Sequence, residues 1–455
     1  MGRVFSPETG ALGVVAHDCL GRTPVNTELT SARAERLSRA DAARWHMGTP
    51  NNPMVIGALL LFDQRLTLGG LQDLVHERLV SHRRFRQHVV EPAHPFGRPA
   101  WRDDSGFDLR EHVRQLTSPT PVDDAALVDL TSERINAPLP LGRSPWTFEL
   151  IDRAPTGSAL LVRIHHCVAD GRALVSLLGQ LADESPDPGP GEDGFPHRPS
   201  PKPAPWRRFF GQLGGLFRFL TPRDPPGLLR RPLDGRKQTA WSEPIPLDSI
   251  KSIARARGHH LSDVLLAAVA GAINRYERQH GQIPRSVRAL LPVAGPSEAA
   301  ADALGNHYAS VFVRLPVALA DPQARLEAIA RDMALLRSGG PSRIASGLIG
   351  LVGGVAPAIE HWAVRWGARR ASLVVSSLAG PPMPLHIARQ PLGGIVIWAP
   401  APASIGLSLT CFGYAGMLRL GLLADAAVID RPNELVAEFQ TALDELGRDP
   451  TASGG

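Results

Sequence analysis

Residues 184–205 carry eight prolines together with glycines and acidic residues, a composition that resists both helix and sheet. The chain on either side is long enough to bury a hydrophobic core of its own. The sequence therefore predicts two lobes, with the N-terminal lobe at 37–183 and the C-terminal lobe at 241–455. The range 184–240 between them is predicted to hold the Pro-rich linker and an amphipathic segment. Residues 1–36 lack sustained periodicity and are predicted to be a flexible leader.

Strand-like and helix-like segments alternate in both lobes, which predicts an α/β fold. The apolar run Met54–Phe62 is typical of a buried strand, and Leu261–Arg278 has helical spacing with Ser262 as its predicted N-cap. The same reasoning predicts strands at Ser158–His165, Val287–Val293 and Tyr308–Leu315, helices at Leu68–Val80, Arg172–Asp183 and Pro432–Leu446, and a hairpin from Ile405–Cys411 to Met417–Leu423.

The composition is that of a folded, soluble protein. Hydrophobic residues make up 43% and charged residues 20%, which excludes a disordered chain. The net charge of +5 slightly favours anionic partners such as phosphates, a CoA moiety or acidic lipid, and we expect no nucleic acid partner. The cysteines Cys19, Cys167 and Cys411 lie far apart, which favours reduced thiols in the cytoplasm. We expect no secretion signal, because the apolar run Ala11–Val15 is short and soon followed by His17 and Asp18. We expect no transmembrane helix, because the uncharged stretch Ile344–Ile359 has only 16 residues.

The segment Trp206–Leu220 follows the Pro-rich residues and has apolar side chains at spacings of three and four, with Arg207, Arg208 and Arg218 between them. Two interpretations fit this pattern. The favoured one is a helix that packs on the protein's own core. The other is a surface helix that rests on acidic lipid.

The segment His165–Gly171, with the sequence HHCVADG, follows an apolar run and indicates general-base chemistry. Successive side chains of a strand point to opposite faces, so the two histidines are expected to have different roles. Asp170 is predicted to fix the loop by pairing with a buried arginine, and Gly171 to adopt a positive φ where strand turns into helix. Metal binding fits poorly because no third ligand has a recognisable spacing. Cys167 is interpreted as a small apolar filler rather than a nucleophile.

HHCVADG resembles the His-His-x-x-x-Asp-Gly signature (HHxxxDG) of the CoA-dependent acyltransferase superfamily. Further blocks, over about residues 37–447, resemble the bacterial wax ester synthase/diacylglycerol acyltransferase family in their expected order. These blocks are residues 45–62, Pro138-Leu139 with Pro145-Trp146, Gly305-Asn306, Gly380-Pro381 with Pro384-Leu385, and residues 406–425.

The resemblance implies a two-lobed, chloramphenicol acetyltransferase-like α/β fold with an active-site tunnel between the lobes. It also implies a ternary mechanism in which His166 is the base that deprotonates a fatty alcohol or a diacylglycerol. The oxygen then attacks the thioester of a long-chain acyl-CoA, giving wax ester or triacylglycerol. His165 would support the site, Asp170 would hold the loop, and acyl-CoA would be a co-substrate without a further cofactor or metal.

Asn306 is the candidate for a polar pocket around the oxyanion, although an asparagine in a turn satisfied by backbone is an equal alternative. The chain departs from the family pattern at two positions. Ser262 precedes Asp263 where the family commonly has Asn-Asp, and Ser377 stands where it has the asparagine before Val-Pro-Gly-Pro. Serine lacks the amide's donor pair, so support of the site or acceptor preference is expected to differ.

Other functions remain open on the sequence alone. One alternative is an acyltransferase or condensation-type enzyme for another hydroxylated acceptor, such as a polyketide or a glycolipid. Another is a non-catalytic lipid-binding protein. For the acyltransferase we expect a cytoplasmic location with peripheral contact to the inner membrane or a lipid droplet.

Overall fold

A computed structural model describes residues 34–94, 97–118, 120–140, 142–183, 224–294, 308–337 and 368–448. The helices in these ranges are α1 (Arg39–His46), α2 (Leu68–Arg78), α3 (Leu109–His112), α4 (Asp124–Asn136), α5 (Gly171–Leu181), α6 (Leu247–Ala256), α7 (Leu261–Gln279), α8 (Pro322–Arg337) and α9 (Pro432–Gly447). Single 3-10 turns lie at Arg83–Arg86 and Leu228–Arg230.

The first sheet has the strand order β13-β14-β2-β7-β6-β5. Its strands are β2 (Val55–Phe62), β5 (Val113–Leu116), β6 (Trp146–Arg153), β7 (Gly157–His165), β13 (His386–Ile387) and β14 (Gln390–Trp398). Every residue of β2 is buried, because α2 and α5 pack on the face that carries Leu60 while α4 packs on the face that carries Leu59. Burial on both faces explains why β2 is a continuous apolar run rather than an alternating one.

The second sheet has the order β11-β10-β12-β15-β16-β8, with β9 paired to β16. Its strands are β8 (Lys237–Trp241), β9 (Ile245–Pro246), β10 (Val287–Ala294), β11 (Tyr308–Leu315), β12 (Leu373–Ala379), β15 (Leu407–Tyr414) and β16 (Met417–Asp425). One face forms the largest apolar core together with α7 and α9. A small third sheet is formed by β1 (Glu35–Arg36), β4 (Ala100–Asp103) and β3 (Gln87–Val90).

Strand β14 joins the two sheets, because it follows β12 in the chain but pairs antiparallel with β2 of the first sheet. It also lies against the second sheet. A Cβ atom added at Gly421 of β16 would come within 2.2 Å of the Ile397 carbonyl oxygen, so only glycine allows β14 to approach this closely. The Tyr414 hydroxyl donates to the Leu392 carbonyl at 2.9 Å and accepts from the Leu385 N–H at 2.8 Å, which fixes the chain entering β14.

The described elements confirm the α/β fold and the predicted strands and helices, with ends that shift by one or two residues in most cases. The predicted cap of α7 is wrong. Ser262 lies inside the helix, and the carboxylate of Asp263 accepts from the N–H of His260, which is the N-cap residue. In this half of a capping box, the side chain at the third helical position accepts from the N–H of the N-cap residue, which has no partner within the helix.

The boundaries predicted for the lobes stay a prediction, because residues 184–223 lie outside the described part of the chain, as does the leader up to residue 33. The structure adds two facts on the connections. Lys237–Trp241, at the end of the range predicted as linker, forms β8 of the second sheet, and Gln390–Trp398 of the C-terminal stretch belongs to the first sheet. Within the described ranges, no helix combines the length and apolar character needed to cross a bilayer.

Candidate active site

The loop that connects β7 to α5 carries the HHxxxDG segment, and its shape is fixed by contacts within the loop. The Asp170 carboxylate accepts from the N–H groups of Arg172 and Ala173, each at 3.0 Å, and so caps the N-terminus of α5. The Val168 N–H donates to the His165 carbonyl at 2.9 Å and closes a turn. Asp170 is therefore a capping residue of the loop, and its pairing with a buried arginine stays a prediction.

Gly171 is the first residue of α5 and does not have the positive φ that the sequence predicted. The prediction was wrong because the need for glycine comes from packing. A Cβ atom at this position would lie 3.0 Å from both terminal methyl groups of Leu378 in β12. The start of α5 thus touches the second sheet, and the HHxxxDG loop lies where the two sheets meet.

His165 is held as a neutral imidazole. Its Nδ1 accepts from the Cys167 N–H at 3.2 Å, and its ring lies 5.0 Å from the indole of Trp45. Burial lowers the pKa of His165 to about 4. The hydrogen bond to Nδ1 assigns the remaining proton to Nε2. His165 therefore keeps one fixed tautomer near neutral pH and is suited to support the site rather than to exchange protons.

His166 is 7% exposed, and its backbone continues the pairing between β7 and β2. Its N–H donates to the Met54 carbonyl at 2.7 Å, while His165 lies opposite Val55. Met54 follows a turn that is closed by Asn52, whose side-chain amide donates to the carbonyls of Ala403 at 2.6 Å and Ile405 at 3.0 Å. The start of β2 is thus tied to the segment that leads into β15.

The second sheet contributes the segment Ser377–Pro381 to this region. The Gly380 N–H donates to the Gly413 carbonyl at 2.8 Å, and a Cβ atom at Gly380 would come within 2.4 Å of the Phe412 ring. Cys167, Val168 and Ala169 share one apolar core with Phe412 and Tyr414 of β15. The middle of the HHxxxDG loop therefore belongs to an apolar core that contains side chains from both halves of the chain.

Ser262 and Asp263 have structural contacts with a neighbouring helix. The Asp263 carboxylate forms a two-point ion pair with Arg337 at the end of α8, with both N···O distances at 2.9 Å. The Ser262 hydroxyl lies 3.4 Å from the same guanidinium and from the Asp263 carboxylate. The pair joins the start of α7 to the end of α8. Asn306, the predicted oxyanion residue, lies outside the described residues.

The buried thiol of Cys167 has a pKa well above its usual value because burial disfavours the thiolate. This agrees with its interpretation as an apolar filler. In the part of the chain that the structure describes, no cluster of three or more histidine, cysteine or acidic side chains is arranged to hold a metal ion.

Two family models match the chain in order. The model of the wax ester synthase/diacylglycerol acyltransferase catalytic domain matches residues 37–218, and the model of the C-terminal domain of the same family matches 304–447. The chain belongs to this family. Membership in the wax ester synthase/diacylglycerol acyltransferase family makes the protein an acyltransferase, as the sequence predicted.

Relatives of the family align over nearly the whole chain. A probable diacylglycerol O-acyltransferase of Mycobacterium tuberculosis, tgs1, is 26% identical over 428 residues, which cover 86% of this chain and 91% of the relative. A second, tgs2, is 25% identical over 448 residues, which cover 87% and 95%.

Solved structures confirm the predicted fold class. The wax ester synthase/diacylglycerol acyltransferase from Marinobacter aquaeolei VT8 superposes with a TM-score of 0.65 at 19% identity, over 90% of this chain and 98% of that one. The first condensation domain of the calcium-dependent antibiotic synthetase gives a TM-score of 0.60 at 17% identity, over 92% and 96%.

Sequence reasoning missed the residues that position the loop from outside it. Trp45 packs on His165 and donates its indole N–H to Glu91, Asn52 holds the turn before β2, and Leu378 meets Gly171. Trp45 and Asn52 fall within the block 45–62 that carries the family resemblance. Their position in this block is the sequence signal that could have identified them. The roles of its residues needed the three-dimensional contacts.

Proposed function

We propose that the protein transfers a long-chain acyl group from acyl-CoA to the hydroxyl of a diacylglycerol or a fatty alcohol, giving triacylglycerol or wax ester. The observation that carries the proposal is the position of the HHxxxDG loop, capped by Asp170 and packed through Gly171 on Leu378 of the second sheet. Family membership supports the same reaction class. A tunnel between the lobes would bring donor and acceptor to this loop.

His166 is the proposed general base. It takes the proton of the acceptor hydroxyl as that oxygen attacks the thioester carbonyl, which forms a tetrahedral intermediate without an acyl-enzyme. The intermediate collapses when the carbon–sulfur bond breaks, and the departing CoA thiolate receives the proton from His166. Asn306 is the proposed donor to the oxyanion of the intermediate.

His165 and Asp170 are proposed to position the base. The neutral ring of His165 braces the turn through Cys167, and Asp170 fixes where α5 begins, so both set the backbone on either side of the loop. Neither residue needs to change its protonation state during the reaction.

The reaction uses apolar substrates, which supports peripheral contact with the inner membrane or a lipid droplet. The segment proposed for this contact is Trp206–Leu220, which lies outside the described residues, and flotation with anionic liposomes tests it. A different hydroxylated acceptor, a carrier-bound acyl donor or lipid binding without turnover are the alternative outcomes.

The test uses the purified full-length chain with palmitoyl-CoA and either dipalmitoylglycerol or hexadecanol, and follows the release of CoA thiol. We expect His166→Ala to lower kcat by about 100- to 10,000-fold, the usual contribution of a general base. The matched control is His76→Ala, because His76 is exposed on α2. No thiol release with either acceptor, or equal rates for His166→Ala and wild type, would contradict the proposal.

A further inference from the structure

The second sheet has a face that turns away from α7 and α9. Along this face the side chains change from charged to apolar towards the HHxxxDG loop. In β10 and β11, Ala289 and Val313 point into the helix-side core, so their neighbours in sequence point to the opposite face. In β12, Leu373 and Val375 belong to the same core, so Val374 and Leu378 lie on the opposite face. Leu378 is the residue that meets Gly171, so this face leads to the HHxxxDG loop.

Two arginines lie directly opposite each other on this face. Arg288 of β10 is the cross-strand partner of Arg314 in β11. Directly opposed side chains of an antiparallel pair have Cβ atoms about 5 Å apart, and like charges at such positions destabilise a sheet. Arg314 is exposed and has no acidic partner among the described residues. The register of the two strands therefore places two guanidinium groups side by side on this face.

One buried carboxylate, that of Asp224, lies beside Arg288. The buried Asp224 carboxylate accepts from the Arg288 N–H at 2.7 Å and from the Ser372 hydroxyl at 2.8 Å, and it lies 4.0 Å from the Arg288 guanidinium. Arg230 adds positive charge at the same end, where it donates to the Ala371 carbonyl at 2.8 Å.

A largely apolar stretch, interrupted by Ser376 of β12, separates the arginines from the catalytic loop. Leu290 and Phe312, the next cross-strand pair on this face, belong with Val374 to a separate apolar cluster. The Ser372 N–H donates to the Arg288 carbonyl, which places the arginines at the start of β12. Leu378 is six residues further along this strand, about 20 Å at the usual rise per residue.

This order of charge, apolar surface and catalytic loop matches the order of groups in an acyl-CoA. Its phosphates are multiply charged, its pantetheine arm is a flexible chain of comparable length, and its thioester is the reacting group. Arginine forks bind phosphate oxygens at two points, which suits them to the phosphate end of the molecule.

We propose that Arg288 and Arg314 form a phosphate-binding pair for the CoA part of the acyl donor, and that they select CoA over carrier-bound or nucleotide-free pantetheine thioesters. The pantetheine arm then runs past the half-buried Leu290 and Phe312 towards the HHxxxDG loop. This inference rests on the proposed acyl-CoA reaction and adds the residues that recognise the donor.

The test compares palmitoyl-CoA with palmitoyl-pantetheine, which carries the same thioester without the nucleotide phosphates. Wild type should use the CoA thioester with the higher kcat/KM. Arg288→Gln and Arg314→Gln should each lower the ratio of the two kcat/KM values by about 10-fold, the loss of one charge-assisted hydrogen bond. A ratio that stays within twofold of wild type in both variants would overturn the proposal.

Arg314→Glu separates phosphate binding from a merely structural role. A glutamate opposite Arg288 replaces repulsion by attraction, so this variant should melt about 1 °C higher than wild type while its kcat/KM ratio falls further. A variant that unfolds earlier and loses both donors equally would instead indicate a structural pair. Arg431→Gln, which removes an exposed charge before α9, is the matched control and should leave the ratio unchanged.

A direct binding measurement distinguishes this proposal from the proposed function. CoA and 3′-dephospho-CoA are titrated into the full-length chain, without an acceptor and without turnover. Tighter binding of CoA that is lost in Arg314→Gln would support the phosphate site even if the acyltransfer assay failed. If the substitutions weakened binding to phosphatidylglycerol vesicles but not to CoA, the arginines would be assigned to lipid headgroups and the proposal would be wrong.

Discussion

The loop Cys167–Asp170 and the segment Ser377–Pro381 lie close together in the fold, but different kinds of contacts hold them. The loop is stabilised by hydrogen bonds between residues two or three apart, such as those that Asp170 accepts from Arg172 and Ala173. The segment is held by residues more than thirty positions away, such as the Gly413 carbonyl that accepts from the Gly380 N–H. The sequence of the loop therefore determines much of its own shape, whereas the segment takes its shape from β15.

This difference separates what each region contributes to the site. The loop supplies the histidines, and the segment supplies a close-packed surface against which the loop is placed. Substitutions in the segment should therefore affect the fold first, while substitutions in the loop should affect the site with a smaller loss of stability.

The largest expected effect is that of Gly380→Ala. Its Cβ would lie 2.4 Å from the Phe412 ring and 2.6 Å from the Gly413 carbonyl oxygen, and the latter is backbone that cannot move aside. We expect a loss of about 2–3 kcal/mol in the free energy of unfolding, measured by urea denaturation. The control is Gly69→Ala, because nothing lies within 4 Å of a Cβ at Gly69. Equal stability of the two variants would show that the segment is not held rigidly.

An intermediate effect is expected from pH, because burial depresses the pKa of His165 from 6.5 to about 4. Between these two values the unfolded chain binds the proton and the folded protein does not, so stability is lost as the pH falls. We expect His165 to account for about 1–2 kcal/mol of this loss, less than the full pKa difference gives since the ring is partly exposed.

The measurement is urea unfolding of wild type and His165→Asn at pH 6.5 and pH 4, because asparagine keeps an acceptor for the Cys167 N–H but does not titrate. Other titrating groups contribute to both proteins and cancel in the difference. Parallel losses of stability in the two proteins would mean that the loop does not hold His165 neutral.

The smallest expected effect is the coupling between Gly171 and Leu378, where the two regions meet. A Cβ at Gly171 lies 3.0 Å from the ends of a flexible side chain, which can move aside. The higher helix propensity of alanine, worth about 1 kcal/mol, offsets the remaining crowding, so Gly171→Ala should lower the free energy of unfolding by less than 1 kcal/mol. Leu378→Val should relieve the crowding, with a coupling of about 0.5 kcal/mol in a double-mutant cycle of thermal unfolding. Additive effects would show that the loop and the segment are independent.

Features set by local sequence were predictable. The strand β2, the helix after the HHxxxDG loop and the hairpin of β15 and β16 each have a pattern of their own, and the structure places them as expected. The reason for a glycine at position 171 was not predictable, because it is the close approach of Leu378, a residue of the other sheet. The cap predicted at Ser262 was wrong for a local reason, because the helix begins earlier, at Leu261, and Asp263 accepts from the N–H of the N-cap residue.

The same limit applies to the phosphate-binding pair proposed above. Neither Arg288 nor Arg314 lies in a motif, and nothing in the sequence around either arginine distinguishes it from the other arginines of the chain. Only the register of β10 against β11 brings the two arginines opposite each other. The register between strands joined by a long connection cannot be predicted from the sequence of either strand alone.

The position of β14 has a consequence for biosynthesis. When the ribosome has finished the HHxxxDG loop, β2 still has one open edge, and its partner Gln390–Trp398 has not yet been translated. An apolar strand with an unpaired edge is prone to aggregation, so we expect the nascent chain to be most at risk of aggregation until β14 emerges. For the same reason, two fragments divided in the Pro-rich region should recover a complete first sheet only when they are co-expressed and reassociate.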